Sequence, residues 1–205
     1  MSMVIRPAVR ADLPRLTEIY NHYVIHTPVT FDLEPYTVER RVAWFEQFAP
    51  TGRYRLLVAE EKGEPDHAAS PLAQEREMVW SKRIGGGVER SDRKSGLIIG
   101  FAGTTKFRVK PAYDTTVETT IYCSQEALGK GVGRTLYGAL FEALAGENIN
   151  RIVAGYTLPN PASAKLHEQF GFKPVGIFSE VGFKFGKYWD VQWTERPLTQ
   201  LAVSI

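Results

Sequence analysis

The apolar positions of this 205-residue chain change period several times, and each change marks an element. Met3 to Val9 (M-V-I-R-P-A-V) is a short strand candidate. Asp12 follows as an N-cap candidate, and Leu13, Leu16, Ile19, Tyr20 and Tyr23 recur at helical spacing. Thr27-Pro28-Val29-Thr30-Phe31 is an extended break. A second helix is predicted from about Thr37, with Glu39 and Glu46 outward and Val42, Phe45 and Phe48 inward. Tyr54 to Glu60 and Gly96 to Arg108 read as strands.

Thr119 to Cys123 is β-branched or aromatic at most positions and predicts another strand. Gly129, Gly131 and Gly133 then alternate with Lys130, Val132 and Arg134, and Val132, Leu136, Leu140 and Leu144 form a helical stripe. Arg151 to Thr157 is a buried strand, Leu158-Pro159-Asn160-Pro161 a break, and Ala162 to Phe170 a short helix stopped by Gly171. Phe172 to Phe183 and Lys184 to Arg196, rich in Phe, Tyr and Trp, predict a closing antiparallel pair. The order β-α-α-β-β-β-α-β-α-β-β is an α/β layout with a mixed sheet, in a single domain spanning 1–205.

The stretch 61–95 breaks this regularity. Its 35 residues carry seven acidic and seven basic side chains and the run Gly85-Gly86-Gly87. Connections within a domain usually take about 4–6 residues, so this is an insertion. It reads either as a surface excursion, such as a hairpin turning at the glycines, or as a lid or oligomer contact.

Composition narrows the function classes. A net charge of +2 is too mild for nucleic acid, and 43% apolar residues suffice for a core. One cysteine, Cys123, excludes an internal disulfide framework and a cysteine-rich zinc site, and no metal is expected. No apolar run approaches membrane length and the first ten residues lack a signal-peptide core. A soluble, cytoplasmic protein with neither membrane nor nucleic-acid partner is expected.

A glycine loop feeding a helix leaves backbone N–H groups unpaired at the positive end of the helix dipole, an arrangement suited to phosphate. The string G-K-G-V-G-R-T-L is not G-x-x-x-x-G-K-S/T, and it lacks the third glycine of G-x-G-x-x-G. A glycine-rich turn with no ligand is the bland alternative.

The spacing resembles the pyrophosphate loop Q/R-x-x-G-x-G/A of the GNAT superfamily of N-acetyltransferases, with Gly131 and Gly133 as the pattern glycines and Leu128 where Arg or Gln usually stands. Three further segments extend the resemblance to the phosphinothricin and methionine sulfoximine acetyltransferase branch. These are I-Y-N-H-Y at Ile19–Tyr23, A-Y-D-T-T-V-E-T-T-I-Y at Ala112–Tyr122 and K-L-H-E-Q-F-G-F at Lys165–Phe172 after Asn160. A fourth, S-E-V-G-F-K-F-G-K-Y-W-D at Ser179–Asp190, matches with its aromatic shifted by one position.

The resemblance implies the GNAT fold: about seven strands, about four helices, and the insertion between the second and third strands. It implies acetyl-CoA as cofactor, held by Gly129, Lys130, Gly131, Val132, Gly133, Arg134 and Thr135, by Ile121, Tyr122 and Cys123 on the preceding strand, and by Asn160. It places the general base at Glu118, which strict alternation puts on one face with Thr120 and Tyr122 unless a bulge intervenes. It places His167 where many relatives carry a tyrosine that protonates the leaving thiolate. It assigns the acceptor pocket to Phe31, Lys106, Phe107, Arg108, Tyr113, Thr116 and Val117, with Arg108 as the cation for a substrate carboxylate.

Each residue also has a plainer reading: a solvated carboxylate for Glu118, packing for His167, a helix N-cap for Asn160, a surface arginine for Arg108. The implied activity is acetyl transfer to the α-amino group of a small amino-acid-like molecule by direct attack in a ternary complex, in a homodimer. Another amine (a polyamine, an aminoglycoside or a protein N-terminus) and a non-catalytic acyl-CoA sensor remain the alternatives.

Overall fold

The computed structural model describes residues 2–62 and 96–198. Their elements are β1 (Met3–Pro7), α1 (Leu13–His26), α2 (Val38–Phe45), β2 (Leu56–Glu61), β3 (Leu97–Lys106), β4 (Thr116–Cys123), α3 (Val132–Ala143), β5 (Arg151–Thr157), α4 (Pro161–Gln169), β6 (Lys173–Lys184) and β7 (Lys187–Pro197). The predicted order holds, with most boundaries moved by a few residues. The expected hairpin turning at Gly85–Gly87 lies outside the described residues.

The strands form one mixed sheet in the order β1-β2-β3-β4-β5-β7-β6. Among the described residues only β4 and β5 pair parallel. Leu136, Leu140 and Leu144 press the α3 stripe onto Ala102, Val117 and Ile152, building the core of one face. The other face packs Val58 and Phe101 beneath Leu16 and Ile19 of α1, with Trp44 and Phe45 of α2 against them.

Local chemistry sets several boundaries. The Thr37 hydroxyl accepts from the Arg40 N–H and starts α2. At the end of α4, Gly171 takes φ +76, and the Phe172 and Gly171 N–H groups return to the His167 and Glu168 carbonyls. That Schellman turn swings the chain into β6. Asp12 does not cap α1 with its side chain as expected. Its carboxylate instead accepts from the Val9 N–H and from Arg6, tying β1 to the turn before α1.

Two features of β4 position the site. Its register with β3 runs unshifted from Gly100–Cys123 to Lys106–Val117, so Val117, Ile121 and Cys123 point into the α3 core while Glu118, Thr120 and Tyr122 face α1 and α2. Its pairing with β5 stops at Glu118–Val153. Beyond that point the two strands diverge and leave a wedge-shaped gap.

Candidate active site

The glycine loop lies at the wide end of the gap. Gly129 and Gly131 hold φ +74 and +81, a region side chains rarely enter, and a Cβ on either would meet nothing within 4 Å. Gly131 is the N-cap of α3 and no side chain caps the helix. The N–H groups of its first turn, Val132, Gly133 and Arg134, are therefore the orphan donors. The Lys130 N–H donates to Ala127, and Thr135 turns both its N–H and its hydroxyl onto the Gly131 carbonyl. The expected backbone cradle over Lys130–Thr135 thus shrinks to its middle.

Along β4, the Ser124 N–H donates to the Ile99 carbonyl at 2.9 Å. Alternation from that bond turns the backbone groups of Tyr122, Thr120 and Glu118 toward β3, and those of Ile121 and Cys123 toward the gap. Tyr23 donates its hydroxyl to the Cys123 carbonyl at 2.6 Å. Tyr122 is therefore corrected out of the cofactor set. Its backbone serves β3, and its ring packs against Tyr20, Tyr23 and Phe101. Burial pushes the Cys123 thiol up to about 11, so it stays protonated and is no nucleophile.

Glu118 stands where the gap opens, on the face opposite α3. Desolvation holds its carboxyl above the usual range, and Arg108 opposes this more weakly. A carboxylate of raised pKa beside a cleft is a competent proton acceptor near neutrality. The Arg108 guanidinium lies 4.1 Å over the Phe107 ring and 6.0 Å from that of Trp193. Phe107 also meets Tyr113 edge-on at 5.9 Å. Lys106 pairs with Asp114 at 3.3 Å. Val117 is fully buried under α3, which corrects its assignment to the acceptor pocket. Trp193 joins the acceptor side, its indole seated over the partner Gly155, which offers only a hydrogen beneath it.

The C-terminal motif has a structural task that its spacing did not disclose. Between Phe178 and Gly182 the β6–β7 register slips, and Asp190 accepts from the Glu180 N–H at 2.7 Å to hold the bulge. The bulge sets Gly182 under the Phe31 ring, where a Cβ would fall 2.2 Å from Cζ. Lys184 donates to the Thr30 carbonyl at 2.8 Å, and Thr157 donates to that of Pro28 at 2.9 Å. Three contacts thus pin the Thr27–Phe31 segment over the sheet.

His167 sits away from the gap. It is 3% exposed, its Nε2 meets the Tyr137 hydroxyl at 3.1 Å, and its Nδ1 meets the Ser163 carbonyl at 2.8 Å. Burial holds the imidazole below its usual pKa. Both nitrogens are engaged inside the fold, so the packing reading replaces the proton-donor one. The Asn160 side-chain Oδ1 accepts from the Ser163 N–H at 3.0 Å and caps α4, leaving its side-chain amide N–H groups for other partners.

Residues 91–193 match the acetyltransferase (GNAT) domain family. Over 194 residues the chain is 45% identical to a phosphinothricin N-acetyltransferase of Streptomyces coelicolor, covering 95% of each. It is 29% identical to an L-methionine sulfoximine/L-methionine sulfone acetyltransferase of Salmonella typhimurium, covering 98% of this chain and 97% of the relative. A solved phosphinothricin acetyltransferase from Sinorhizobium meliloti, in complex with acetyl-CoA, aligns with a TM-score of 0.73 at 30% identity, covering 96% of this chain and 89% of that one.

Proposed function

We propose that this chain, which belongs to the GNAT acetyltransferase family and is an acetyl-CoA-dependent N-acetyltransferase, acts on the α-amino group of a small amino-acid-like acceptor. Phosphinothricin, methionine sulfoximine and methionine sulfone are the leading acceptors, since relatives covering nearly the whole chain carry those names.

The residues present fit the cofactor. Uncapped N–H groups at α3, glycines with open space above them, and backbone of Ile121 and the Cys123 N–H turned toward the gap serve one end of the wedge. Acetyl-CoA supplies the activated acyl thioester. The N–H groups of Val132, Gly133 and Arg134 hold the pyrophosphate, and Gly129 and Gly131 let it approach. Lys130 and Arg134 add charge. Ile121, Cys123 and the Asn160 amide would orient the pantetheine arm, with a strand N–H available to the acetyl carbonyl.

The observation that carries the reading is Glu118, a desolvated carboxylate where β4 parts from β5. It would take the proton of the acceptor ammonium so that the free amine attacks the thioester directly, in a ternary complex; the C–S bond breaks as the amide forms, and the departing thiolate takes up the proton that the nitrogen sheds. Arg108 receives the acceptor carboxylate, and Phe31, Phe107, Tyr113, Thr116 and Trp193 line the acceptor pocket around it. His167 and Tyr137 brace α4 against α3 and so position Asn160.

No described helix is long and apolar enough to cross a membrane. We assign the activity to the cytoplasm, in keeping with acetyl-CoA use and a single cysteine. A homodimer through the edge strand β6 is part of this reading. Val175, Phe178, Val181 and Phe183 there are each more than half exposed, an apolar surface that an edge strand rarely leaves uncovered. The test of the chemistry is Glu118→Gln: turnover should collapse while acetyl-CoA still raises the melting temperature, and undiminished turnover would remove Glu118 from the reaction.

A further inference from the structure

Beside the acceptor face, α1, α2 and β4 enclose a cavity of about 240 Å³. Thr120, Tyr122 and Phe101 line its sheet side, and Tyr20, Tyr36 and Trp44 line its helix side. Arg41 lies in this cavity and is only 4% exposed. Its guanidinium carbon is 3.8 Å from the Trp44 ring centroid and 4.3 Å from that of Tyr20. Ring faces hold the guanidinium in place and supply no hydrogen-bond acceptor in its plane.

The Arg41 Nε is shielded from solvent and has no hydrogen-bond partner. Asp32 shares the cavity, yet its oxygens accept from the hydroxyls of Tyr20 and Tyr36. Aromatic faces offset part of the cost of burying a cation, but a shielded N–H still needs an oxygen. Arg41 lines the cavity, so the rest of its guanidinium is placed to meet an oxygen-bearing group from outside the chain. Arg40 on the same wall adds a second positive charge, which disfavours a cationic guest such as a polyamine.

Its location relates it to the chemistry. Thr120 follows Glu118 by two residues on the same face, so the cavity begins about 7 Å along the strand from the base. In an amino acid with a tetrahedral side-chain head, that head lies several bonds from the amine, a comparable span.

We propose that Arg41 is a specificity-determining residue: its cavity receives the phosphinate, sulfone or sulfoximine head of the acceptor whose amine lies at Glu118. Arg108 remains for the α-carboxylate. The inference rests on the amino-acid-acceptor reading above and assigns the part of the acceptor that reading leaves unplaced. An aliphatic side chain would fill the space and leave the buried N–H without an acceptor, which is how a polar site rejects an apolar analogue.

The experiment compares methionine sulfone with norleucine, which lacks the sulfonyl oxygens, as acceptors for the wild-type protein and for Arg41→Met. The ratio of their kcat/KM values should fall by about 30-fold or more in the variant. A ratio that stays within about threefold overturns the inference and leaves the acetyltransferase reading standing. Arg41→Met also removes ring contacts and could lower stability, so methylphosphinate provides a measurement on the intact protein. It should inhibit competitively against methionine sulfone and not against acetyl-CoA; absence of inhibition, or competition with acetyl-CoA, overturns the inference. If neither amino acid is acetylated, the acceptor reading is what fails. Melting shifts with methylphosphinate then judge the cavity: a rise in the wild type that Arg41→Lys abolishes supports an oxyanion site, and no rise refutes it.

Discussion

The Tyr137 hydroxyl and His167 Nε2 meet at 3.1 Å in the interior between α3 and α4. The pair joins the helix that carries the glycine loop to the helix that Asn160 caps. Replacing His167 with Leu strands the Tyr137 hydroxyl in a buried place, and stability should fall by about 1–3 kcal/mol. The pH profile of turnover should keep its shape, because Tyr137 and Ser163 engage both imidazole nitrogens. Stability should also change its pH dependence. Burial depresses the folded-state pKa of His167, so the unfolded chain binds the proton more readily. The wild type therefore loses stability as pH falls below about 6.5 toward the folded value, and the variant loses less. Melting curves between pH 5 and pH 8 measure both effects.

Glu118→Gln should lower kcat by about 10²–10⁴. It should not lower the melting temperature at pH 7. The folded-state pKa of Glu118 is raised, so ionisation favours the unfolded chain above about pH 4.3, and removing the charge removes that penalty. A variant that is inactive, equally or more stable, and still shifted by acetyl-CoA is the expected result; an unfolded variant would contradict it.

Arg108 pulls the Glu118 carboxyl downward against desolvation. Arg108→Gln should therefore move the acidic limb of the rate profile to higher pH and raise KM for the acceptor. A shifted KM with an unmoved limb would separate Arg108 from the base. Initial rates across pH 5–9 decide it.

Gly182→Val should act on the acceptor and spare the cofactor. The added Cβ collides with the Phe31 ring, so the Thr27–Phe31 segment must lift from the sheet. KM for the amine should rise while the acetyl-CoA melting shift persists. Gly131→Ala is the complementary change. Its φ of +81 costs a side chain about 1–2 kcal/mol even though the space above it is open. Acetyl-CoA binding should weaken in that variant, and isothermal titration compares the two.

Most elements were legible in the period changes, because a strand or helix half-buried on one sheet must alternate or recur accordingly. The Glu118, Thr120 and Tyr122 face followed from alternation alone, since β4 carries no register shift against β3. The side chains that failed are instructive. Val117 and Tyr122 lie within four residues of Glu118 and group with the site by sequence, yet one points under α3 and the other has its backbone on β3. Arg41 drew no reading from the sequence, because nothing local announces that Tyr20 and Trp44 will bury it. The clamp on Phe31 depends on contacts between residues some 150 positions apart, which no local pattern carries.

The apolar edge of β6 gives a further expectation. Phe178→Glu with Val181→Lys should convert a dimer to a monomer, read by light scattering on an eluting column. A wild-type protein that elutes as a monomer would contradict the dimer reading directly.

The central claim is that Glu118 drives acetyl transfer from acetyl-CoA to an amino-acid amine. Thiol release, followed across a panel of phosphinothricin, methionine sulfoximine, methionine sulfone, spermidine and an alanine-terminated peptide, tests it most directly. Release is expected with the three amino-acid-like acceptors in the wild type and none above background in Glu118→Gln. Release driven by spermidine or the peptide alone, or turnover unchanged in Glu118→Gln, would contradict it.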